Sequence, residues 1–434
     1  MRAGRPIIAR MDAFVARRPV FDREERLAAF ELLYRQDSVI EGGAASELAS
    51  ERLLLDACLG TGLDTLAEGL PALLPVTPSI LVRETIRVVH PRRALLQLSP
   101  GVDPTADLIR ACERLAADGY RFSIDARDGL LTPTLLAVAR LAKLDTSQIP
   151  PALIPRAADR LHKAGVWILA DQISSHDLRT RCASAGIELY EGYEYARGEV
   201  VTKRDVGVDH VQAFRLLKTI RDPKVADGVI EEAFRRDLGL SYKLLRLVNS
   251  AWAGGRDITT IGHAIRLVGR EALYRWLSLL LVSTIAERGV ELEIASVSLT
   301  RARMCERIAE VYGIPKASGP LFMVGLFSML DVLLGIPMAD LVTRLELATD
   351  VTRALVARED FYGSALALVE AYERGDWSMV TDRAAEVGIS ADVLPSLYTE
   401  GLAWARSQLQ EAMSRESSNK VLRKVSESAK ALVA

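Results

Sequence analysis

The sequence predicts a multidomain fold, an α/β barrel followed by an all-α bundle, and three observations predict it. The chain has 434 residues, more than one ordinary core holds, so about two domains are expected. Short apolar runs alternate with helical stretches through the first half. Beyond a polar stretch near residue 200, apolar residues recur at helical spacing only.

The apolar runs are Leu27–Tyr34, Leu73–Val76, Leu95–Leu98, Phe122–Asp125, Leu141–Asp145 and Val166–Asp171, with helical stretches such as Asp107–Ala117 and Pro133–Ala142 between them. Repeated strand-then-helix units imply a mainly parallel sheet. Enough such units close into a barrel, typically of about 250 residues. Fewer residues are available here, so a compact or incomplete barrel is expected. Asp125, Asp145 and Asp171 end three of the runs. Taken singly, each reads as a cap of the helix that follows. As a series at the carboxyl ends of parallel strands, they read as the rim of an ancestral active site.

The stretch Arg197–Asp209 is polar and reads as a linker. After it, Val211, Phe214, Leu217 and Ile220 recur at helical spacing, as do Val229, Ile230, Ala233 and Phe234. Ile261, Ile265 and Val268 follow, ended by Gly269 as a C-cap. Leu273, Trp276, Leu277, Leu280 and Leu281 form one helix face. Trp252, Trp276, Phe322 and Phe327 exceed what a small core needs and imply packing on another surface. A last amphipathic helix carries Leu402, Leu409 and Met413, and the final residues are polar and read as a loose tail. The expected segments are an extension at 1–11, the barrel at 12–197, the linker at 198–209, the helical domain at 210–400, and a helix and tail at 401–434.

Composition removes several function classes. A net charge of -2 gives no overall attraction to nucleic acid or anionic lipid. Arg215, Lys218, Arg221 and Lys224 read as a solvated helix face. Cys58, Cys112, Cys182 and Cys305 form no CxxC pair and read as reduced thiols. No secretory signal follows the basic start. The longest apolar run, around Trp276–Ala286, is short of the roughly 18 residues a membrane helix needs. A cytoplasmic protein with no nucleic-acid or membrane partner is expected.

The segment VARRPVFDREERLAAFELLYR resembles the opening of an EAL domain, the family of cyclic di-GMP phosphodiesterases, and the resemblance runs from about Asp12 to Arg197. It implies a (β/α)8-type barrel holding two divalent metals on carboxylates and an asparagine, which activate a water. Within ELLYR, the signature Glu is present as Glu31. The family's Asn, in a strand like FVNLS, matches Pro75 in LLPVT, and the Glu of LEITE matches Gln97 in LLQLS. The paired aspartates of DDFG fall on Asp125 and Ala126. The following Lys is matched by Lys143, a later Glu by Asp171, and the Gln before the final Gly-Tyr by Glu191. Pro75, Gln97 and Ala126 have lost a charge or a donor. Hard cations need several oxygen ligands, so the resemblance implies a site without metal, cofactor or hydrolysis. Glu31, Asp125 and Lys143 are then a buried ion network. Arg35 and Glu31 lie where a nucleotide would approach.

RLLKTIRDP, FRRDLGLSYKLLRLVNSAWAGG and ITTIGHAIRLVGREALYRWLSL resemble the HDOD domain, which derives from the HD phosphohydrolases. That superfamily holds metal on a His-Asp pair. Here SMLDVLLG places Leu330 at the His position and keeps only Asp331, and neither His210 nor His263 is followed by Asp. The resemblance implies a non-enzymatic signalling regulator that binds protein partners. Cyclic di-GMP is not favoured as its ligand, since Glu191 adds repulsion. A receptor without hydrolysis and a weak phosphodiesterase are the alternatives.

Overall fold

The structure, a computed structural model, describes residues 15–34, 63–98, 102–126, 133–192, 208–251, 258–285, 289–413 and 427–433. The chain divides into two compact units. One comprises Met1–Glu199, Arg288–Glu293 and Ala367–Ala434, and the other comprises Val200–Glu287 and Ile294–Leu366.

The first unit is built on a closed barrel of strands in sequence order. They are β1 (Val15–Phe21), β2 (Leu27–Tyr34), β3 (Ala72–Val76), β4 (Ala94–Leu98), β5 (Arg121–Asp125), β6 (Ala139–Asp145), β7 (Trp167–Asp171) and β8 (Leu189–Glu191). β1 runs antiparallel to β2 and β8, and the remaining neighbours are parallel. Of the two alternatives expected, a compact or an incomplete barrel, the structure has the first, because β1 and β8 close the ring. The stretch expected to be helical to Ala142 divides at Val138, because Ala139 already pairs with Phe122. Helices α1 (Leu63–Ala67), α2 (Pro78–Val82), α3 (Ala106–Ala117), α4 (Pro133–Val138), α5 (Ile154–Lys163) and α6 (His176–Ser184) lie between the strands. Thr105 starts α3 by accepting the Leu108 N–H, and Ser175 does the same for α6 with Leu178.

Side chains on a strand alternate between faces, so every second residue enters the barrel. Val20, Ala29, Leu73, Leu95, Leu141, Leu169 and Leu189 form its apolar floor. The chain's own end completes that floor. In sequence, helices α7 to α16 come between the barrel strands and this C-terminal part: α7 (Val208–Arg221), α8 (Asp227–Arg235), α9 (Leu238–Ala251), α10 (Ile261–Val268), α11 (Arg270–Ile285), α12 (Val290–Tyr312), α13 (Ser318–Phe327), α14 (Leu330–Leu334), α15 (Met338–Arg344) and α16 (Thr349–Ala357). Then come α17 (Asp360–Arg374), α18 (Trp377–Val387), α19 (Leu394–Met413) and α20 (Glu427–Val433). Leu432 of α20 is fully buried in the floor cluster, with Val433 packed against it. Ser428 reaches Asp22 in the β1–β2 turn, and Arg140 donates to the Ala431 carbonyl at 3.2 Å. The loose-tail expectation is therefore corrected for Glu427–Val433, because Ala429 and Leu432 fill apolar space that the barrel leaves at its end.

A second difference concerns residues from Ala367 onward, which group with the barrel and not with the helical domain. The Tyr372 hydroxyl donates to Val15 O at 3.2 Å, and the Trp377 indole N–H donates to Tyr34 O at 3.0 Å. Gly375 turns α17 into α18 with φ +68, and a Cβ there would lie 2.9 Å from Leu33.

In the helical unit, Leu273, Leu277 and Leu281 are buried on one face of α11. Phe322 and Phe327 are fully buried. Trp276 stacks on Phe234 at 6.5 Å. Trp252 and the linker before Val208 lie outside the described residues. Among the described residues, no helix is long and apolar enough to cross a membrane.

Candidate functional site at the barrel mouth

Strand alternation fixes what stands above the apolar floor. Two residues beyond Ala29, Leu73, Leu95, Leu141, Leu169 and Leu189 come Glu31, Pro75, Gln97, Lys143, Asp171 and Glu191. Arg18 joins this layer from β1, which runs the other way, two residues before Val20. The barrel thus changes within one layer from hydrocarbon to a ring of polar groups.

Lys143 is the centre of that ring. Its Nζ lies 2.7 and 2.8 Å from the two oxygens of Glu31, 2.6 Å from Glu191 Oε2 and 3.2 Å from Asp171 Oδ2. Arg18 Nη1 lies 3.3 Å from Glu191 Oε1, and its Nη2 donates to Arg374 O at 2.8 Å. Lys143, Glu31 and Glu191 are buried. Buried charges survive only when paired and hydrogen-bonded, and here two cations serve three carboxylates.

The charge balance shows in the protonation equilibria. Burial alone would lower the Lys143 ammonium, yet Glu191, Glu31 and Asp171 hold it above its ordinary value. Burial would raise Glu31, but Lys143 outweighs it and keeps this carboxyl below the usual range. Burial and the charge of Glu31 push Glu191 up to about 7. Asp171 is raised by burial and by Glu191. The pair Glu31–Glu191 holds one proton more readily than free carboxylates would, and Glu191 is the member that keeps it.

The positions matched to metal ligands do not converge on a cation site. Pro75 offers no side-chain donor. Gln97 pairs in register with Pro75 and Ser123, and its buried Oε1 has no hydrogen-bond partner among the described residues. The Ala126 N–H donates to Lys143 O at 2.7 Å. Glu31 gives both oxygens to Lys143, while Glu191 divides its pair between Lys143 and Arg18 and Asp171 between Lys143 and the Gln172 N–H. Among the described residues, no group of three His, Cys, Asp or Glu side chains is disposed to hold a metal ion. The side chains present do not fit a pair of divalent ions, and no chemical step is derived through one.

The structure brings Glu31, Lys143 and Asp171 together. The expected trio Glu31–Asp125–Lys143 is corrected, because Lys143 takes Glu191 and Asp171, not Asp125, as its further partners. Asp125 ends β5 beside Lys143 in register. Asp145 is a cap, accepting from the Ser147 N–H at 3.0 Å. Sequence reasoning missed Arg18 and took Glu191 as a lost position. Arg35 lies outside the described residues. On the outer face of β1, Arg17 forms a separate buried network, 2.8 Å from Glu68 and 3.5 Å from Glu293. Burial pushes Glu293 up to about 8.

The helical unit holds no comparable ring among its described residues. Leu330 is fully buried on α14, and Asp331 follows it. Arg301 is buried and donates to Ser328 Oγ at 3.2 Å. His263 is exposed beside buried Ala264 and Ile265, which makes it a solvent-face residue of α10. Asn249 pairs both ways with the Ile258 backbone, at 2.9 and 2.7 Å, and so ties α9 to the start of α10.

Comparison with known proteins matches residues 209–355 to the HDOD domain family. An uncharacterized protein of Bacillus subtilis, YuxH, is 25% identical over 409 residues, covering 92% of this chain and 99% of YuxH. The Vibrio cholerae protein named cyclic di-GMP phosphodiesterase CdgJ is 26% identical over 404 residues, covering 91% of this chain and 92% of CdgJ. Among solved structures, a standalone EAL protein from Vibrio cholerae O395 in a cyclic di-GMP-bound form is 18% identical. The match covers 42% of this chain and 90% of that one, with a TM-score of 0.35. The chain carries a closed eight-stranded barrel, followed in sequence by a helical region that matches the HDOD domain family.

Proposed function

We propose that this chain is a non-enzymatic regulator in cyclic di-GMP-related signalling, acting by binding protein partners through an EAL-like barrel that no longer cuts and an HDOD domain. The observation that carries the reading is the Lys143 ammonium, held within 3.2 Å of the three carboxylates of the mouth. A carboxylate that pairs with a lysine is not free to hold a metal. Pro75, Gln97 and Ala126 add no anionic oxygen. Loss of residues that merely support a metal's ligands costs about 10–100-fold in affinity or activity, and these positions match the ligands themselves. Replacement of His by Leu330 supports the same reading for the helical domain.

A phosphodiesterase is the rival reading, favoured by the name of CdgJ and its match along most of both chains. One experiment separates the two. Purified full-length protein is incubated with cyclic di-GMP and Mg²⁺ or Mn²⁺, and the linear product is quantified. No product above the metal-free control is expected. Metal-dependent product would overturn the proposal, and saturable binding without product would make the barrel a receptor.

A further inference from the structure

The helical unit carries a cavity of about 280 Å³ that the barrel site does not involve. This is close to the lower end of the roughly 300–1,000 Å³ usual for small-molecule sites. Its apolar wall is aliphatic and includes Ile220, Met323, Leu347 and Val351. Tyr274 and Arg221 supply polar groups to the same cavity.

Tyr274 is 8% exposed. Its hydroxyl oxygen is buried, has no acceptor in hydrogen-bonding geometry among the described residues, and has the Arg221 guanidinium, a donor, beside it. Burial raises the hydroxyl's pKa against the opposing charge of Arg221, so the group remains an O–H donor. The Arg221 guanidinium lies 5.9 Å from the centre of the Tyr274 ring and forms no ion pair among the described residues. A buried donor left without an acceptor is costly, on the order of 1–3 kcal/mol.

The other charged groups on the wall are already engaged. Arg270 bonds Asp227 Oδ1 and Asp222 O, each at 2.9 Å, and also Val225 O. Asp350 accepts the Val351 N–H at 2.9 Å in the first turn of α16. Glu271 stands in the first turn of α11, where a carboxylate complements the helix dipole.

We propose that this cavity binds a small aliphatic monocarboxylate. Arg221 and the Tyr274 hydroxyl take the carboxylate, and the chain lies against Ile220, Met323, Leu347 and Val351. A planar carboxylate matches a guanidinium. A phosphate dianion asks for more donors than these two groups give, and Asp350 and Glu271 in the wall oppose its second charge. A second cavity of about 360 Å³ shares Arg270, Glu271 and Met323 with the first.

The test uses full-length protein titrated by calorimetry with hexanoate, hexanol and inorganic phosphate. Hexanoate is expected to saturate, with hexanol and phosphate at least about tenfold weaker. Arg221→Gln and Tyr274→Phe should each weaken hexanoate about tenfold or more. Tyr274→Phe removes a single oxygen and keeps the ring, and a melting curve matched to the parent shows that the fold is retained. The proposal is overturned if hexanol or phosphate binds as tightly as hexanoate. It is equally overturned if neither substitution changes the affinity, or if hexanoate does not saturate by about 10 mM.

Discussion

At the floor of the barrel Leu432 enters a cluster made of Val20, Ala29, Leu73, Leu95, Leu141, Leu169 and Leu189. One layer higher, on the same strands, Lys143 enters a cluster made of Glu31, Asp171 and Glu191. The backbone is the same in both places, and period-two alternation sets both layers. The difference lies in what each layer demands of its partner. Hydrocarbon accepts any apolar group of suitable volume, so damage to the floor is graded. Buried charge needs an opposite charge at a fixed place, so damage to the mouth leaves groups that neither water nor protein satisfies.

The largest expected effect is at the floor. Deleting residues 427–434 uncovers the apolar layer and removes Leu432, Ala429 and the partly buried Val433. Truncating one buried Leu to Ala costs about 2–5 kcal/mol. Loss of the whole helix should cost about 5 kcal/mol, a large part of a domain's total of roughly 5–15 kcal/mol. Urea unfolding of the full and shortened chains measures it. Equal midpoints and slopes would mean that α20 contributes nothing to the barrel.

At the mouth, Lys143→Met keeps much of the side-chain volume and removes the charge. It leaves Glu31, Asp171 and Glu191 facing one another with Arg18 as their remaining counter-charge among the described residues. A loss of about 3–5 kcal/mol is expected, the usual cost of removing one partner of a buried ion pair. The sharper test adds Glu31→Gln and Glu191→Gln to Lys143→Met. If stranded charge is the cause, the triple variant regains much of the lost stability. If Lys143 acts only by packing, the triple variant is no more stable than Lys143→Met.

Those two ends were not equally legible. β2 to β7 announce themselves by apolar runs bounded by polar residues. β1 does not, because VARRPVF carries adjacent charges. Arg17 and Arg18 point to opposite faces, and each is neutralised by residues distant in sequence, Glu68 and Glu293 for one and Glu191 for the other. β8 spans only Leu189–Glu191, too short to show alternation. Glu31, Lys143 and Asp171 could be found from motifs. Glu191 could not be placed in the cluster, since a carboxylate at that position reads as repulsive until Lys143 is seen 2.6 Å away. α20 was hidden by the polar residues before it, and two buried apolar positions, Ala429 and Leu432, are too few to mark an amphipathic helix.

The smallest effect is the one that separates charge from hydrocarbon most cleanly, because only the mouth titrates. Glu191 is raised to about 7 in the folded chain, against about 4.3 for a free Glu. Below that ordinary value the group is protonated in both states, and it contributes no slope. Between roughly pH 4.5 and 7 the folded chain keeps a proton that the unfolded chain releases, so stability falls as pH rises. Above that window both states are ionised and this contribution is flat. Glu293, raised to about 8, slopes in the same direction over a wider range. Glu191→Gln should therefore remove part of the decline between pH 5 and 8, on the order of 2 kcal/mol, and leave the Glu293 part in place. Adding Glu293→Gln should flatten the profile further, while Leu432→Ala should shift the whole curve down without changing its slope. Urea unfolding at several pH values distinguishes these outcomes. If Glu191→Gln keeps the parent's slope, Glu191 does not hold the extra proton, and the account of the mouth as a proton-sharing pair balanced by Lys143 is wrong.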